Sequence, residues 1–266
     1  MSLKPNVLTI AGSDSGAGAG IQADLKTIQA LGGYGLTAIT ALTAQNGLRV
    51  AGIFPATPEF VTLQIQTIQE GFTLASAKTG MLFTAEIIQA VAKALQDKNF
   101  PLVVDPVAVS QSGYALLKDD AVAALKADIF PLCDLLTPNI PEAELFADLK
   151  INTLDDILAA GQKLLQLVPG AVLIKGGHLQ NKELVTDYLF QQGASPKEFS
   201  MPHIATNNNH GTGCTLSAAL ATNLAKNLSL DVAVSNAQKF LNLALKTSQN
   251  PGKGSGPVNH ACLYEA

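Results

Sequence analysis

Short apolar runs rich in β-branched residues recur along this chain, and between them lie longer stretches with the period of a helix. The runs occupy residues 7–11, 36–42, 51–54, 102–105, 135–137, 172–174 and 185–190. Ile21, Leu25, Ile28 and Leu31 fall at i, i+4, i+7 and i+10, and Val61, Ile65, Ile68 and Phe72 nearly repeat that spacing, with polar residues between. Strands alternating with helices of this length argue for βαβ units and a mostly parallel sheet covered on both faces. Two segments depart from the alternation. Residues 185–201, with Gly193 and Pro196 between two short runs, read as an antiparallel hairpin, and residues 213–248 read as two helices broken near 227–230.

A chain of 266 residues that is 47% hydrophobic and 14% charged can bury a full core without staples, which excludes disorder. Its 17 basic residues against 21 acidic ones give a net charge of −4, and only Arg49 is an arginine. With no basic run, nucleic acid is not an expected partner. Cys133, Cys214 and Cys262 are odd in number and widely spaced, so they suggest neither a disulfide framework nor a zinc knuckle, and free thiols point to a reducing compartment. The first apolar run is too short for a signal peptide and none reaches membrane length, so a cytoplasmic protein with no membrane contact is expected. Without a linker, charge block or repeat, residues 1–266 are expected to form a single domain.

In an open parallel sheet, ligands bind beyond the carboxyl ends of the strands, so the segments just after the runs carry most functional weight. The first is GSDSGAGAG at residues 12–20, whose glycines let the backbone approach a ligand and bare amide donors. It lacks the last glycine of the dinucleotide fingerprint and the Gly-Lys-Ser/Thr of a phosphate loop, and a plain βα turn is the simpler alternative. Asp24, expected on the first turn of the next helix, either faces the crevice or complements the helix dipole. The second is HGTGC at residues 210–214, directly before a helical run. Bared N–H groups at a helix N-terminus favour an anion and could stabilise charge on a transferred phosphoryl group. Cys214 falls on the first helical turn, where the thiol pKa is expected to be lowered, as suits a base or nucleophile; a buried structural cysteine is the competing reading.

The third segment is TPNIPE at residues 137–142. Asn139 and Glu142 offer oxygen atoms three residues apart, as a hydrated Mg²⁺ with nucleotide phosphates would need, or they form a helix cap. The fourth ends a buried run on Lys175, followed by Gly176, Gly177 and His178. A lysine there reaches phosphate oxygens or simply snorkels to solvent. Asp105 puts a carboxylate at a strand end, placed to hold a metal-bound water. His178, His203, His210 and His260 share no zinc-ligand spacing.

GSDSGAGAGIQADLKT at 12–27, KTGM at 78–81, DPV at 105–107, TPNxxE at 137–142, IKGGH at 174–178, HGTGCTLS at 210–217 and GSGPVNH at 254–260 occur in this order. Together, from about residue 6 to 264, they closely resemble the hydroxymethylpyrimidine/phosphomethylpyrimidine kinases of thiamine biosynthesis, in the ribokinase-like superfamily. The resemblance implies a three-layer α/β/α sandwich with a mostly parallel central sheet and an antiparallel edge. It implies transfer of the ATP γ-phosphate to 4-amino-5-hydroxymethyl-2-methylpyrimidine and then a second phosphate to the monophosphate. Cys214 would stand where other ribokinase-like enzymes have an aspartate base, and Gly211, Thr212 and Gly213 would form the anion hole. Lys175 would hold phosphate charge, while Asp105, Asn139 and Glu142 would order Mg²⁺, its waters and the nucleotide. Gly12, Asp24, Gln45, Met81 and Val107 would line the substrate pocket, and a homodimer is expected.

Gln45 also has a logic of its own, because a carboxamide matches the adjacent donor and acceptor of an aminopyrimidine edge, as Gln does with adenine. The sequence departs from the family at Ala17, where a third consecutive glycine is usual and which should matter little if φ there is below zero, and at Asn209, where threonine is usual. Pyridoxal or pyridoxine kinases built on the same template are the rival, but there the position of Gln45 tends to be Met and that of Lys175 Thr. A non-catalytic pyrimidine-binding protein is a rival of another class, against which stand Lys175, Asn139, Glu142 and Cys214.

Overall fold

The structure, a computed structural model, describes residues 3–108, 117, 119–176 and 183–264. Elements follow in the order β1 (Asn6–Ser13), α1 (Gly20–Ala30), β2 (Tyr34–Gln45), β3 (Val50–Pro55), α2 (Pro58–Gly71), β4 (Ser76–Thr79), α3 (Ala85–Leu95), β5 (Leu102–Val104), α4 (Asp119–Ala124), β6 (Leu135–Leu136), α5 (Ile140–Ala147), α6 (Leu154–Leu165), β7 (Ala171–Ile174), β8 (Leu184–Phe190), β9 (Lys197–Pro202), α7 (Thr212–Ala225) and α8 (Leu230–Lys246). The strands form one nine-stranded sheet in the order β3-β2-β1-β4-β5-β6-β7-β8-β9. Its inner six strands are parallel to one another. The expected antiparallel edge is present on both sides: β3 closes one end and the β8–β9 hairpin the other.

The period of two along the inner strands builds two cores. Leu8 and Ile10 of β1, Leu102 and Val104 of β5, and Val172 and Ile174 of β7 face one layer, which holds α2 to α6. Val7, Val103, Ala171 and Leu173 point the other way, toward α1, α7 and α8. This is the three-layer sandwich, with the strand runs buried on both faces as in parallel sheets generally. The hairpin and the two C-terminal helices stand where the periodicity puts them.

One inner strand has no counterpart among the apolar runs. β4 is Ser-Ala-Lys-Thr, and its four residues are fully buried although three are polar. Its registers with β1 and β5 hold it in place, and its lysine is neutralised inside the core.

Candidate active site

The N-terminus of α7 meets the segments that follow the inner strands, Gly211 approaching Gly18 after β1 and Gly213 approaching Asp105 after β5 and Lys175 after β7. The glycine-rich loop after β1 is organised by Asp14, whose carboxylate accepts the backbone amides of Gly16 at 2.8 Å, Gly18 at 3.0 Å and Ala19 at 2.8 Å. Burial opposes the charge, yet the His210 hydrogen bond and these amides hold the Asp14 carboxyl below its usual range. Ala17 has φ 60°, so the condition under which losing the glycine would matter little is not met. The Ala17 amide closes a turn on the Asp14 carbonyl at 2.9 Å, and the chain leaves that turn through the left-handed region at Ala17, which glycine enters freely and alanine does not.

On the side of this loop and β2 lie most of the residues expected to take substrate. Gly12 is packed against Met81 so closely that a Cβ on Gly12 would sit 2.5 Å from the Met81 methyl carbon. The Thr40 hydroxyl donates to the Met81 carbonyl at 2.7 Å. Gln45, at the end of β2, is clamped through its backbone: its N–H donates to the Ser15 hydroxyl at 2.8 Å, which donates back to the Gln45 carbonyl at 2.9 Å. Val107 is half-buried with φ 46°, a strained conformation for a β-branched residue.

Asp24 does not line the crevice. It sits on the second turn of α1 rather than the first, with no exposed surface, and both its carboxylate oxygens lie 2.8 Å from Lys78 Nζ. The Thr9 hydroxyl donates to the same carboxylate at 2.6 Å. The helix register turns it inward to β4, beneath the floor of the crevice.

On the opposite side the chain enters α7 through Gly211 at φ 83°, where a Cβ would fall 1.9 Å from the Gly18 carbonyl oxygen; only glycine fits. No acidic residue occupies the first turn, which leaves the positive end of the dipole open. Lys175 Nζ donates to Asp105 Oδ1 at 3.1 Å, and a Cβ on Gly213 would lie 3.3 Å from Asp105 Oδ2 and 3.6 Å from Lys175 Nζ. The strand ends thus bring a lysine and a carboxylate to the helix N-terminus. Burial disfavours the Lys175 ammonium, but Asp105 and Glu142 hold its pKa above the usual value.

Cys214 is half-buried on the first turn of α7. Its thiol is pushed up to about 11, by burial first, with Lys78 opposing and Asp24 and Asp105 reinforcing. The expected lowering is therefore corrected: the dipole of one helix turn is outweighed by desolvation and two nearby carboxylates.

For Asn139 and Glu142 the structure displays the helix cap. Asn139 Oδ1 accepts the Glu142 amide at 2.8 Å, and Glu142 Oε2 accepts the Asn139 amide at 2.8 Å. Glu142 Oε1 also accepts the Ala108 amide at 3.0 Å. Each carboxylate oxygen of Glu142 is thus engaged by a backbone amide. Burial lifts the Glu142 carboxyl to about 7, against Lys175. Among the described residues no group of three His, Cys, Asp or Glu could hold a metal ion. Gly177 and His178 lie outside the described residues.

Three residues of this centre had no role in the motif reading. Asp14 was the middle of a glycine-rich turn, His210 a flanking residue, and Lys78 part of a short match. A lysine in a chain segment that must be a buried strand demands an acidic partner, and that demand was a usable signal for the Asp24–Lys78 pair. The coupling of Asp14 to His210, 196 residues apart, had none.

A glycine-rich loop, a helix N-terminus and a Lys–Asp pair meeting above a parallel sheet define a ribokinase-like phosphotransferase of small molecules. Residues 14–259 match the family model described as phosphomethylpyrimidine kinase. The chain is 46% identical over 98% of its length to the thiamine biosynthesis bifunctional protein ThiED of Geobacter sulfurreducens, and spans 53% of that longer protein. It is 45% identical to the hydroxymethylpyrimidine/phosphomethylpyrimidine kinase of Haemophilus influenzae, covering 98% of both chains. The structure of a Bacillus subtilis pyridoxal kinase in complex with ADP superimposes with a TM-score of 0.90 at 34% identity, covering 99% of this chain and 100% of that one. The chain belongs to the phosphomethylpyrimidine kinase family.

Proposed function

We propose that this protein transfers the γ-phosphate of ATP to the hydroxymethyl group of 4-amino-5-hydroxymethyl-2-methylpyrimidine, and then a second phosphate to the monophosphate. The observation that carries this reading is the convergence of Lys175 and Asp105 on the N-terminus of α7 at Gly213. Phosphoryl transfer through a loose transition state asks a protein mainly for positioning and charge neutralisation. Lys175 supplies the cation, and the amides at Gly211, Thr212 and Gly213 supply oriented donors. Cys214, a thiol at neutral pH, orients the attacking hydroxyl; its thiolate form takes the hydroxyl proton late, as the P–O bond to the leaving ADP breaks, and the resulting thiol gives that proton up to solvent before the next turnover.

Mg²⁺ fits this site as a hydrated ion carried by the nucleotide phosphates, because the carboxylates of Asp105 and Glu142 are already engaged, the first by Lys175 and the second in the cap of α5. Asp105 and Glu142 would accept hydrogen bonds from the waters of such an ion, which would supply neutralisation of phosphate charge, and Asn139 holds Glu142 in place through the helix cap. Gly12, Met81 and Val107 shape the pyrimidine pocket, with Asp24 supporting it from beneath. A second copy of the chain covers the β3 edge, where Leu42, Val50, Ile53 and Phe54 are exposed beside Phe60 and Leu63 of α2. No helix among the described residues is long and apolar enough to cross a membrane, and a cytoplasmic homodimer is the working form.

The similarity to a pyridoxal kinase makes that substrate the rival, which Gln45 and Lys175 oppose. ADP release with hydroxymethylpyrimidine, its monophosphate and pyridoxal, assayed side by side with Mg-ATP, tests the reading. Turnover on both pyrimidines is expected; activity on pyridoxal alone would overturn it.

A further inference from the structure

The carboxamide of Gln45 does not stand alone. Its Nε2 lies 3.3 Å from His210 Nε2, and that same ring nitrogen lies 2.9 Å from Asp14 Oδ2. A carboxylate can only accept, and the Asp14 carboxylate is already fixed by three backbone amides, so His210 Nε2 carries the proton and donates to Asp14. The imidazole is fixed as well: its ring packs on Gly18, where a Cβ would come within 2.6 Å of Cδ2, and its backbone N–H donates to the Gly256 carbonyl at 3.0 Å. A protonated Nε2 facing the Gln45 amine sets donor against donor. Turning the carboxamide over relieves this and puts Oε1 toward His210.

We propose that Asp14 and His210 act as positioning residues that select the orientation of the Gln45 carboxamide in the substrate complex, and through it the orientation of the pyrimidine. This rests on the functional reading above. A carboxamide can read an acceptor beside a donor in either of two senses, because its own two ends exchange on a half-turn. In 4-amino-5-hydroxymethylpyrimidine the exocyclic amine lies between the ring nitrogen and the hydroxymethyl group, so reversing the reader reverses the ring. One sense points the hydroxymethyl group at Cys214 and Lys175, and the other points it away. With Oε1 turned toward the His210 N–H, whose one proton goes mainly to Asp14 at 2.9 Å and only as the longer arm of a three-centre bond to Gln45 at 3.3 Å, the oxygen also accepts from the exocyclic amine while the Gln45 amine donates to the ring nitrogen.

The test is a double-mutant cycle between His210→Ala and Gln45→Ala, read as kcat/KM on hydroxymethylpyrimidine and as its Kd by calorimetry. His210→Ala is expected to lower kcat/KM about 30-fold in the Gln45 enzyme, the scale of one oriented hydrogen bond, mostly through kcat, and less than about twofold in the Gln45→Ala background. His210→Gln, which keeps a donor for Asp14, is expected to recover most of the loss. If Gln45→Ala turnover is too slow for steady-state reading, single-turnover product formation with enzyme in excess reads the same cycle. Additive losses in both backgrounds, or no loss on His210→Ala, overturn the proposal while leaving the pyrimidine kinase intact. Absence of pyrimidine turnover in the unmodified enzyme overturns the functional reading and the proposal together.

Discussion

Lys78 Nζ lies 2.8 Å from each carboxylate oxygen of Asp24, and neither side chain reaches solvent. Burial alone would strip the lysine of its proton; the adjacent carboxylate reverses this and holds its pKa well above the usual value. Lys78→Met strands an uncompensated charge and is expected to cost about 3–5 kcal/mol in urea unfolding. Lys78→Met with Asp24→Leu should regain most of it. A loss under about 1 kcal/mol in the single variant would show that water reaches the site.

Ala17→Gly is expected to stabilise the protein by about 1 kcal/mol, because it removes a left-handed alanine from the loop organised by Asp14. The melting temperature should rise by roughly 2 °C. An unchanged or lower melting temperature would mean that the turn relaxes around alanine at no cost.

With its pKa raised to about 11, Cys214 should react slowly with iodoacetamide at pH 7, and the rate should climb with pH until about 11. Fast labelling at neutral pH, mapped by mass spectrometry, would contradict the burial argument. Cys214→Ala is expected to lower kcat by about 10²-fold or more with KM little changed. Near-normal kcat would reduce the residue to packing.

His260 is buried beneath α7, where its Nε2 lies 3.0 Å from the Thr215 hydroxyl. That hydroxyl already donates to the Gly211 carbonyl, so the neutral ring donates from Nε2. Burial, with Lys26 adding to it, lowers the pKa to about 4. The unfolded chain takes up a proton near pH 6.5 and the folded one does not until about 4. The histidine's contribution to stability is therefore complete above about 6.5 and is lost as pH falls toward 4, by about 2 kcal/mol between pH 7 and 5. His260→Gln should flatten that part of the acid limb. Equal slopes for both proteins would refute the assignment.

Where function is built from neighbours in sequence, the chain was readable. The glycines before α7, the strand-end Asp105 and Lys175, and the hairpin at the sheet edge all follow from local pattern. β4 escaped because its polar residues break the apolar run, and only a partner on α1 makes its lysine tolerable. Asn139 and Glu142 carry the same pattern for a cap as for a metal-binding pair, so sequence alone left both open. The Cys214 pKa depends on Asp24, Lys78 and Asp105 gathered from three other elements, which no spacing rule reports.

The close approach of Gly211 to the Gly18 carbonyl has a consequence for synthesis of the protein. The strands that carry Gly12, Gln45, Asp105 and Lys175 are all made before α7, yet the roof of the crevice arrives only with residues 210–225. A chain emerging from the ribosome therefore holds every strand end of the crevice without being able to enclose a nucleotide. Phosphoryl-transfer competence waits for residues 210–225, which are made after every strand of the sheet.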